Sequence, residues 1–282
     1  MNKKALHDAL VAAGLSRLLK DLPALLAPSI HLIATPTPEA ALASGSSKIG
    51  GIPDLPPDVA WPRWRRFPLA FIAQLRLAEL APYDSEHSLP AYGMLWFFYA
   101  ARQQTYGADP DDLGSWSVLY RRTTTHLQPR LPPESLPCAD RFSACQVHGA
   151  NDSTLSQLPQ SLIKNFDWSD DEQERYDELV SSLSAGTGKY EPHHSVLGHP
   201  YMLQDDMQEQ CQLMRSGVRN VEDPRIELLC TRSRDWRLLL QLDSDERIHM
   251  RWGSSGMLYY WIRWPDLQAG YFADTWLILQ SD

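Results

Sequence analysis

Residues 236–262, WRLLLQLDSDERIHMRWGSSGMLYYWI, decide the fold that this sequence predicts. An apolar segment from Trp236 to Leu242 opens the stretch, and a second apolar segment from Met257 to Ile262 closes it. Between them, Ile248 to Trp252 has the composition of a short strand, and the Gly-Ser-Ser-Gly that follows supplies the backbone angles of a hairpin turn. Strands joined by short polar turns pair antiparallel. We therefore expect an antiparallel meander here.

A fainter copy of this pattern lies earlier, at 69–75 (LAFIAQL) and 93–99 (GMLWFFY). The two copies share a Gly-x-Pro, a strand that ends in Gln-Leu, a Gly-Met-Leu followed by aromatic residues, and a strand led by Trp. The matching positions are Gly51 and Gly198, Gln74 and Gln241, Gly93 and Gly256, and Trp116 and Trp276. One such β unit cannot bury its apolar face alone. We therefore predict two related halves, about 45–122 and 193–280, packed as one extended sheet or two facing sheets.

Helices are expected at two places outside these halves. Leucines at helical spacing in 3–27 predict N-terminal helices, and Ser169 with Glu172 forms a capping box ahead of the apolar stripe Tyr176, Leu179, Val180 and Leu183. We interpret 123–192 as an irregular and helical insertion, and Ile226 to Thr231 as a further strand. The predicted fold class is α+β: β-rich, mostly antiparallel sheets from two related halves, with N-terminal helices and one mid-chain amphipathic helix, in one domain over 1–282.

Composition excludes several classes of protein. The 282 residues carry a net charge of −9, which disfavours a protein that coats nucleic acid or an anionic membrane. No run of 18 apolar residues predicts a membrane span. Four scattered cysteines without a CxxC, and charges that interrupt the N-terminal apolar segment, favour a cytoplasmic protein without a signal peptide.

Seven motifs together carry a resemblance to a known family. They are IGGIPDLPPDVAWP, LAFIAQL, LPAYGMLWFF, VLGHPYMLQDDM, LLLQLDSD, MRWGSSGMLYYWI and DLQAGYFADTW. As a set, over about 45–280, they resemble the YwqG-like family, a bacterial domain of unknown function, with a departure at His199, where an aromatic residue is expected. The resemblance implies a β-rich α+β fold in a cytoplasmic bacterial protein, no established catalytic residues, and similarity to components of toxin–immunity loci.

Catalytic and metal-binding signals are weak. The sequence has no Walker loop, GxGxxG, HExxH, GxSxG or EF-hand loop. Two groups contain metal-ligating residue types at spacings that match no known site, namely His193, His194 and His199, and Cys138, Cys145 and His148. We predict no cofactor and no metal, and binding rather than catalysis.

The leading hypothesis places function on an acidic surface. The carboxylates of the mid-chain helix lie off its apolar stripe, and three more follow in sequence: Asp170, Asp171, Glu172, Glu174, Asp177, Glu178, Asp205, Asp206 and Glu209. Such a cluster accelerates encounter with a basic protein and fixes its orientation. We therefore predict a non-enzymatic binding protein, as an immunity protein that masks a basic toxin.

The alternative is a small-molecule- or metal-binding protein, or a hydrolase, with an aromatic cleft between the two halves. Its predicted lining is Trp61, Gln74, His199, Gln241 and Trp252. Gln74 and Gln241 end apolar strands, so each amide is expected to be buried. A buried amide without partners costs about 1–3 kcal/mol, and for these two residues we favour a structural role in holding the Gly-x-Pro loops.

Overall fold

A computed structural model of the chain describes residues 3–169, 171–184 and 192–281. Within these ranges the strands are β1 (Leu26–Pro36), β2 (Lys48–Ile49), β3 (Asp54–Leu55), β4 (Arg63–Trp64), β5 (Phe67–Pro68), β6 (Ala70–Arg76), β7 (Met94–Tyr99), β8 (Trp116–Arg121), β9 (Gln128–Pro129), β10 (Cys145–Leu155), β11 (Ser195–Val196), β12 (Trp236–Asp243), β13 (Gly256–Arg263) and β14 (Thr275–Ser281). The α-helices are α1 (Lys3–Ala12), α2 (Leu22–Leu25), α3 (Leu77–Leu80), α4 (Pro159–Leu162), α5 (Glu172–Ser184), α6 (Gln208–Arg215), α7 (Ile226–Cys230) and α8 (Trp264–Ala269). The described part of the chain also holds short 3₁₀ turns at Ser16–Asp21, Glu39–Ala41, Ala81–Tyr83, Pro110–Asp112, Cys138–Asp140, Ser233–Asp235 and Glu246–Ile248.

Ten of these strands form a single antiparallel sheet in the order β14-β13-β12-β11-β1-β10-β2-β6-β7-β8. The long strands β1 and β10 pair at its centre, from Leu26 opposite Leu155 to Pro36 opposite Cys145. We call β2, β6, β7 and β8 the first arm, and β11, β12, β13 and β14 the second arm. Each arm therefore consists of a two-residue strand followed by a three-stranded meander.

The centre of the sheet corrects the prediction for residues 123–192. This region was expected to be irregular and helical, but it contains β10, which joins the first arm to β1. Most residues of β10 are not fully buried. Polar side chains are therefore tolerated along it, and the apolar alternation that reveals a strand in a sequence is missing.

The two arms repeat the same register. Gln74 of β6 lies opposite Trp96, and Gln241 of β12 lies opposite Tyr259. The ladder shifts between Phe71 and Ala73 in one arm and between Leu238 and Leu240 in the other, three residues before each glutamine. The Gly-x-Pro, Gln-Leu and Gly-Met-Leu landmarks thus occupy matching places in the sheet.

The fourth landmark is displaced by one residue. Trp116 lies opposite Tyr99, which is six residues after Gly93. The residue six positions after Gly256 is Ile262, and it lies opposite Thr275 rather than Trp276. Trp116 and Trp276 instead contact each other, with ring centroids 4.8 Å apart. A shared Trp at the strand start is therefore not a match in register.

The sheet curls until its two arms face each other. The rings of Phe97 and Tyr260 lie 5.0 Å apart, and Tyr260 Oη donates to the Phe98 carbonyl at 3.2 Å. At the open edge, Trp116 Nε1 donates to the Thr275 carbonyl at 3.1 Å. The main core lies between the arms, so the sheet is one extended sheet and also presents two facing layers.

Strand β7 shows that both sides of an arm are covered. Leu95, Phe97 and Tyr99 point into the main core, whereas Met94, Trp96 and Phe98 belong to a second cluster on the outer side. Alternate side chains of a strand point to opposite faces, which explains why the segment is apolar at every position.

The helices cover the ends of the sheet. The stripe of α5 packs with α1 in a separate cluster that contains Leu6, Leu10 and Tyr176. One of the two hydrogen bonds of the predicted capping box is formed, since Ser169 N donates to Glu172 Oε2 at 3.0 Å. Among the described residues, no helix combines the length and the apolar character needed to cross a bilayer.

Two predicted strands are wrong. Residues 226–231 begin as helix α7, since Asp223 Oδ1 accepts from Arg225 N and turns the chain, and Leu228 stays 70% exposed. In 248–252, His249 adopts a left-handed φ of 61°, so that segment contributes one bridge, Asp245 to Met250, rather than a strand.

Candidate ligand-binding site

The outer side of the first arm is filled by the protein's own side chains. The Trp61 ring packs edge-on against Phe98 at 5.5 Å, and Phe71 packs on the same ring at 5.6 Å. Trp61 Nε1 donates to the Leu69 carbonyl at 2.8 Å. We call this surface, made by Leu55, Val59, Trp61, Phe71 and Phe98, the filled face.

The outer side of the second arm has the same strand register but borders a cavity. Its residues at the register positions of Phe71 and Phe98 are Leu238 and Trp261, which lie opposite each other. Gln208 stands ten residues after Gly198, as Trp61 stands ten residues after Gly51. We call the surface made by Met202, Gln208, Leu238 and Trp261 the open face, because a cavity adjoins it.

Gln208 makes the hydrogen bond that Trp61 makes on the other arm. Its Nε2 donates to the Trp236 carbonyl at 2.7 Å, and Trp236 precedes Leu238 by two residues, as Leu69 precedes Phe71. The donor to the start of the strand is thus retained, whereas the indole ring is absent. Gln208, Leu238 and Trp261 all border the cavity on this arm.

The cavity has a volume of about 640 Å³. It lies between the open face, helices α4, α6 and α8, and the first residues of β1. Its floor is apolar and buried, formed by Trp236, Leu238, Trp261 and Leu267. Exposed side chains of both charges line its rim, namely Arg234, Arg237, Glu86 and Glu209. A volume of this size accommodates a small organic molecule.

Two residues that line the cavity carry buried polar atoms that the described residues leave without a hydrogen-bond partner. They are Trp261 Nε1 and His199 Nε2. Trp261 is only 2% exposed. Leaving a buried donor unpaired costs about 1–3 kcal/mol. Both atoms lie in the wall of the cavity and are closed to a water-sized probe.

His199 is held as a neutral imidazole. Burial, with a smaller contribution from the nearby Arg237 guanidinium, lowers the pKa of His199 to about 4. Its backbone N donates to Thr154 Oγ1 at 2.6 Å, which fixes the loop beside β10. A neutral imidazole offers one donor and one acceptor nitrogen, so the ring can adapt to either kind of polar group.

The five residues of the predicted aromatic cleft do not lie together in the structure. Of its five residues, only His199 lines the cavity. Trp61 belongs to the filled face, and Trp252 is fully buried in the main core against Tyr99 and Phe142.

The two glutamines of the predicted cleft hold loop backbone instead. Gln74 Oε1 accepts from Asp54 N, and its Nε2 donates to the Ser46 carbonyl, each at 2.8 Å. Gln241 makes the matching pair at 2.8 Å, with Tyr201 N and the His193 carbonyl. Each amide thus clamps both ends of its Gly-x-Pro loop, which is the structural role favoured from the sequence.

The predicted acidic surface divides into separate groups. Asp170 lies outside the described residues. Asp171 is exposed just before α5, and Glu174, Asp177 and Glu178 are exposed on it. Asp205 is exposed on the loop before α6, and Asp206 and Glu209 line the cavity.

Glu172 requires a correction, because it is buried and binds within the chain. Arg17 Nε donates to its Oε1 at 2.7 Å, and Arg17 Nη2 donates to its Oε2 at 2.6 Å. These bonds, with a further one from Ser169 N, lower the pKa of Glu172 to about 2. Its carboxylate fastens α5 to the N-terminal helices and is not available to a partner.

Neither group of metal-ligating residue types converges. His193 stacks on Tyr201 at 4.6 Å, His194 Nδ1 accepts from Asp243 N at 3.1 Å, and His199 faces the cavity. On β10, Cys145 and His148 are three residues apart, so one is buried and the other exposed. Burial raises the pKa of Cys145 to about 11. In the described ranges, no three His, Cys, Asp or Glu side chains could jointly hold a metal ion.

Comparison with known proteins places the chain in a family. Residues 47–281 match the family described as Domain of unknown function (DUF1963). The chain belongs to this family. The DUF1963 match spans both arms and the open face, and it begins after β1, whose first residues complete the cavity wall. No curated protein matches the sequence.

The sequence interpretation missed Gln208, Trp261 and Arg237 in this DUF1963 chain. A signal for Gln208 is present: extending the Gly51/Gly198 match by ten residues aligns it with Trp61. At that position the second arm has no aromatic residue, and the residue that stands there lines the cavity.

Proposed function

We propose that this chain binds a small molecule in the cavity beside the open face, and that it acts through binding rather than catalysis. The observation that carries the proposal is the contrast between the two outer faces. They share strand register and the hydrogen bond to the strand start, yet the second face replaces a packed indole by Gln208.

The energetics favour a ligand as the complement of this site. Side chains of a well-packed core contact other atoms on all sides, and a gap forfeits those contacts. Here the floor residues Leu238 and Trp261 adjoin a cavity, and Trp261 Nε1 has no partner among the described residues. A molecule with apolar surface in the cavity supplies contacts that the lining residues lack.

The test is to identify what the protein carries. Protein purified under native conditions from its own cell is denatured, and the released small molecules are measured by mass spectrometry. We expect a specific molecule at close to one per chain. Gln208→Trp keeps the donor to the Trp236 carbonyl and places a ring in the cavity, so that molecule should be absent from this variant.

The matched control is Gln173→Trp, the same substitution at an exposed position of α5. It should carry the same molecule as the wild type. The proposal is contradicted if the wild type releases nothing specific and a thermal-shift screen of small molecules also finds no ligand that Gln208→Trp excludes.

A second candidate function is protein binding by the outward side of α5, as in a cytoplasmic immunity protein that masks a basic toxin. What supports it is the exposure of Asp171, Glu174, Asp177 and Glu178. Their joint replacement by Ser should slow association with a basic partner captured from the native cell and flatten its salt dependence. An unchanged association rate would show that α5 is not part of the interface.

We also propose that the two arms are diverged copies of one unit, and that the family is related to the YwqG-like proteins. The first proposal is supported by the shared register, the shared ladder shifts and the equivalent glutamine clamps. The second is supported by the position of the seven quoted motifs, which fall within or next to the matched residues 47–281.

A further inference from the structure

We propose that the ligand of the cavity is an organic cation, whose ammonium group pairs with the Asp84 carboxylate and whose apolar part lies on half-buried apolar side chains of the wall. This inference rests on the proposed function and adds the chemical class of the ligand.

Asp84 places a carboxylate in the cavity wall without a counterion. The residue lines the cavity and is only 5% exposed. Its Oδ2 accepts from Leu89 N at 2.7 Å, whereas its Oδ1 makes no hydrogen bond with the described residues and is not closed to a water-sized probe. Within the same ranges, no Lys, Arg or His side chain forms an ion pair with Asp84. Asp84 therefore offers one carboxylate oxygen to an occupant of the cavity.

A tight turn holds this carboxylate in place. Strand β6 continues into α3 and a 3₁₀ turn that ends at Tyr83, so Asp84 is the next residue. His87 has a left-handed φ of 53°, and its N donates to the Asp84 carbonyl at 3.1 Å. Leu89, whose N binds the carboxylate, is itself buried in the main core. The carboxylate is thus ordered before a ligand arrives, which lowers the entropy cost of binding.

A buried carboxylate favours a cation as its partner. Removing a carboxylate from water is costly unless an opposite charge and hydrogen bonds compensate. Asp84 has the single side-chain hydrogen bond from Leu89 N among the described residues. An ammonium group supplies a positive charge and several donors. It therefore stabilises Oδ1 more than a hydroxyl group, which supplies one donor and no charge.

The remaining carboxylates of the lining add to this negative potential. Asp206 is half-buried, and its Oδ1 accepts from Gln208 N at 3.1 Å. Two exposed carboxylates, Glu86 and Glu209, stand at the rim. Charges of one sign along a concave surface raise the local concentration of the opposite ion.

Two guanidinium groups also line the cavity, and both are turned to carbonyl groups of the chain. Arg234 Nη2 donates to the Ser161 carbonyl at 3.1 Å, and Arg237 Nη1 donates to the Trp236 carbonyl at 3.0 Å. Both side chains are exposed. They lie at the solvated rim, whereas Asp84 is buried, and solvent weakens the repulsion between exposed charges and a bound cation.

The apolar part of the ligand follows from the side chains that keep accessible surface in the cavity. Five half-buried apolar residues line it, namely Leu26, Leu158, Leu197, Met202 and Trp264. Covering their surface is favourable through the hydrophobic effect. A metal ion would leave it uncovered, and within the described ranges Asp84 belongs to no group of three metal-ligating side chains. An organic ammonium compound makes both kinds of contact.

The test compares three probes with the same alkyl chain at neutral pH. Hexylamine is present as hexylammonium, 1-hexanol is neutral, and hexanoic acid is present as hexanoate. Calorimetry measures the affinity of each probe, and of calcium chloride, for the wild type, Asp84→Asn and Asp205→Asn. Asp84→Asn keeps an acceptor for Leu89 N but removes the charge. Asp205→Asn is the matched control, since Asp205 is exposed and does not line the cavity.

We expect hexylammonium to bind about tenfold more tightly than 1-hexanol, because a charge-assisted hydrogen bond is about twice as strong as a neutral one. Hexanoate should bind most weakly. Asp84→Asn should remove the preference for hexylammonium and leave the affinity for 1-hexanol unchanged, whereas Asp205→Asn should behave as the wild type. A crystal structure with hexylamine should place its nitrogen within hydrogen-bond distance of Asp84 Oδ1. A folded Gln208→Trp protein should bind none of the three probes.

Different failures separate the two proposals. If 1-hexanol binds as tightly as hexylammonium, or if Asp84→Asn preserves the preference, the assignment of a cation to Asp84 is wrong while small-molecule binding stands. If Asp84→Asn does not fold, the crystal structure decides, and a hexylamine nitrogen away from Asp84 overturns the inference. Calcium binding that Asp84→Asn abolishes, without binding of hexylammonium, overturns it as well.

The molecule released from the native protein decides the case in which no probe binds. A molecule with a basic nitrogen supports the inference, and a molecule without one overturns it while the proposed function stands. If nothing binds and nothing is released, the proposed function fails and this inference fails with it.

Discussion

On the first arm, Trp61 donates a hydrogen bond to the start of strand β6 and lays its ring on Phe98. On the second arm, Gln208 donates the equivalent bond to the start of β12, and Trp261 faces a cavity instead of a ring. On the first arm one tryptophan makes both the hydrogen bond and the ring contact, whereas the second arm has the hydrogen bond without a ring from this position. Both arms keep the donor, whereas only the first arm has the ring.

The largest effect is expected from giving the filled face the residue of the open face. Trp61→Gln keeps the donor but removes the ring from Phe98, and we expect a loss of about 3 kcal/mol in the free energy of unfolding, as for other large-to-small changes in a core. Denaturant unfolding measures it. The reverse change, Gln208→Trp, should alter stability by no more than about 1 kcal/mol.

Equal losses from these two changes would contradict the comparison, because they would mean that both faces depend on the residue at this position to the same extent. The Gln173→Trp protein is the control for the introduction of an indole on a helix surface.

The next effect tests the feature that the two arms share. Gln74→Leu and Gln241→Leu each remove an amide that pairs with backbone groups at both ends of a loop. Each should cost about 2 kcal/mol, because the loop groups lose their partners in a buried place. Denaturant unfolding of both variants checks this, and a neutral Gln241→Leu would show that the second loop is held by other means.

A smaller effect is expected in the pH dependence of the free energy of unfolding, to which His199 beside the open face contributes. His199 stands where the first arm has Ile52, and burial lowers the pKa of His199 to about 4 from its ordinary value of 6.5. Between these values the unfolded chain takes up a proton that the folded chain does not. The free energy of unfolding should therefore fall as the pH drops from 6.5 to about 4, and this contribution should level off below that.

His199→Gln should remove this part of the pH dependence, and His87→Gln, on an exposed turn, is the control. Calorimetric unfolding between these pH values measures both. An unchanged slope in His199→Gln would mean that its imidazole is not held neutral at the cavity.

The smallest effect is expected at a part of the cavity wall that the first arm lacks. Helix α5 supports Ser156, a lining residue, through a hydrogen bond from Tyr176 Oη to its carbonyl, and Arg17 holds the start of α5 through Glu172. The bonds from Arg17 lower the pKa of Glu172 to about 2 from 4.5. The carboxylate therefore stabilises the folded state above pH 4.5, and this stabilisation is lost as the pH falls toward 2.

Glu172→Gln should therefore lower the Tm slightly at neutral pH, since Arg17 is partly exposed and solvent weakens the pair. The difference from the wild type should narrow as the pH falls from 4.5 toward 2. A difference in Tm that stays constant over this range would contradict the assignment of the shifted carboxyl.

The sequence predicts those parts of the fold where burial imposes a pattern. Strand β7 is apolar on both faces because both are covered, and the landmark residues Gly51, Gln74 and Gly93 mark places where the backbone and a buried amide allow few substitutes. Strand β10 was missed because its partly exposed side chains leave no alternation, and α7 was missed because apolar residues such as Leu228 lie on the surface.

The candidate site was less predictable for a different reason. Its defining residue, Gln208, is informative only by contrast with Trp61, and this contrast requires knowing that both side chains donate to the start of a strand. Composition and motif searches detect residues that are present. The absence of a ring at one position becomes visible only when the contacts of the two arms are set side by side.

The most direct test of the central claim is a crystal structure of the protein purified from its native cell. We expect density for a small molecule in the cavity that Gln208 and Trp261 border, while Trp61 fills the corresponding place on Phe98. Side chains of the second arm collapsed into the cavity, leaving both outer faces equally filled, would contradict it.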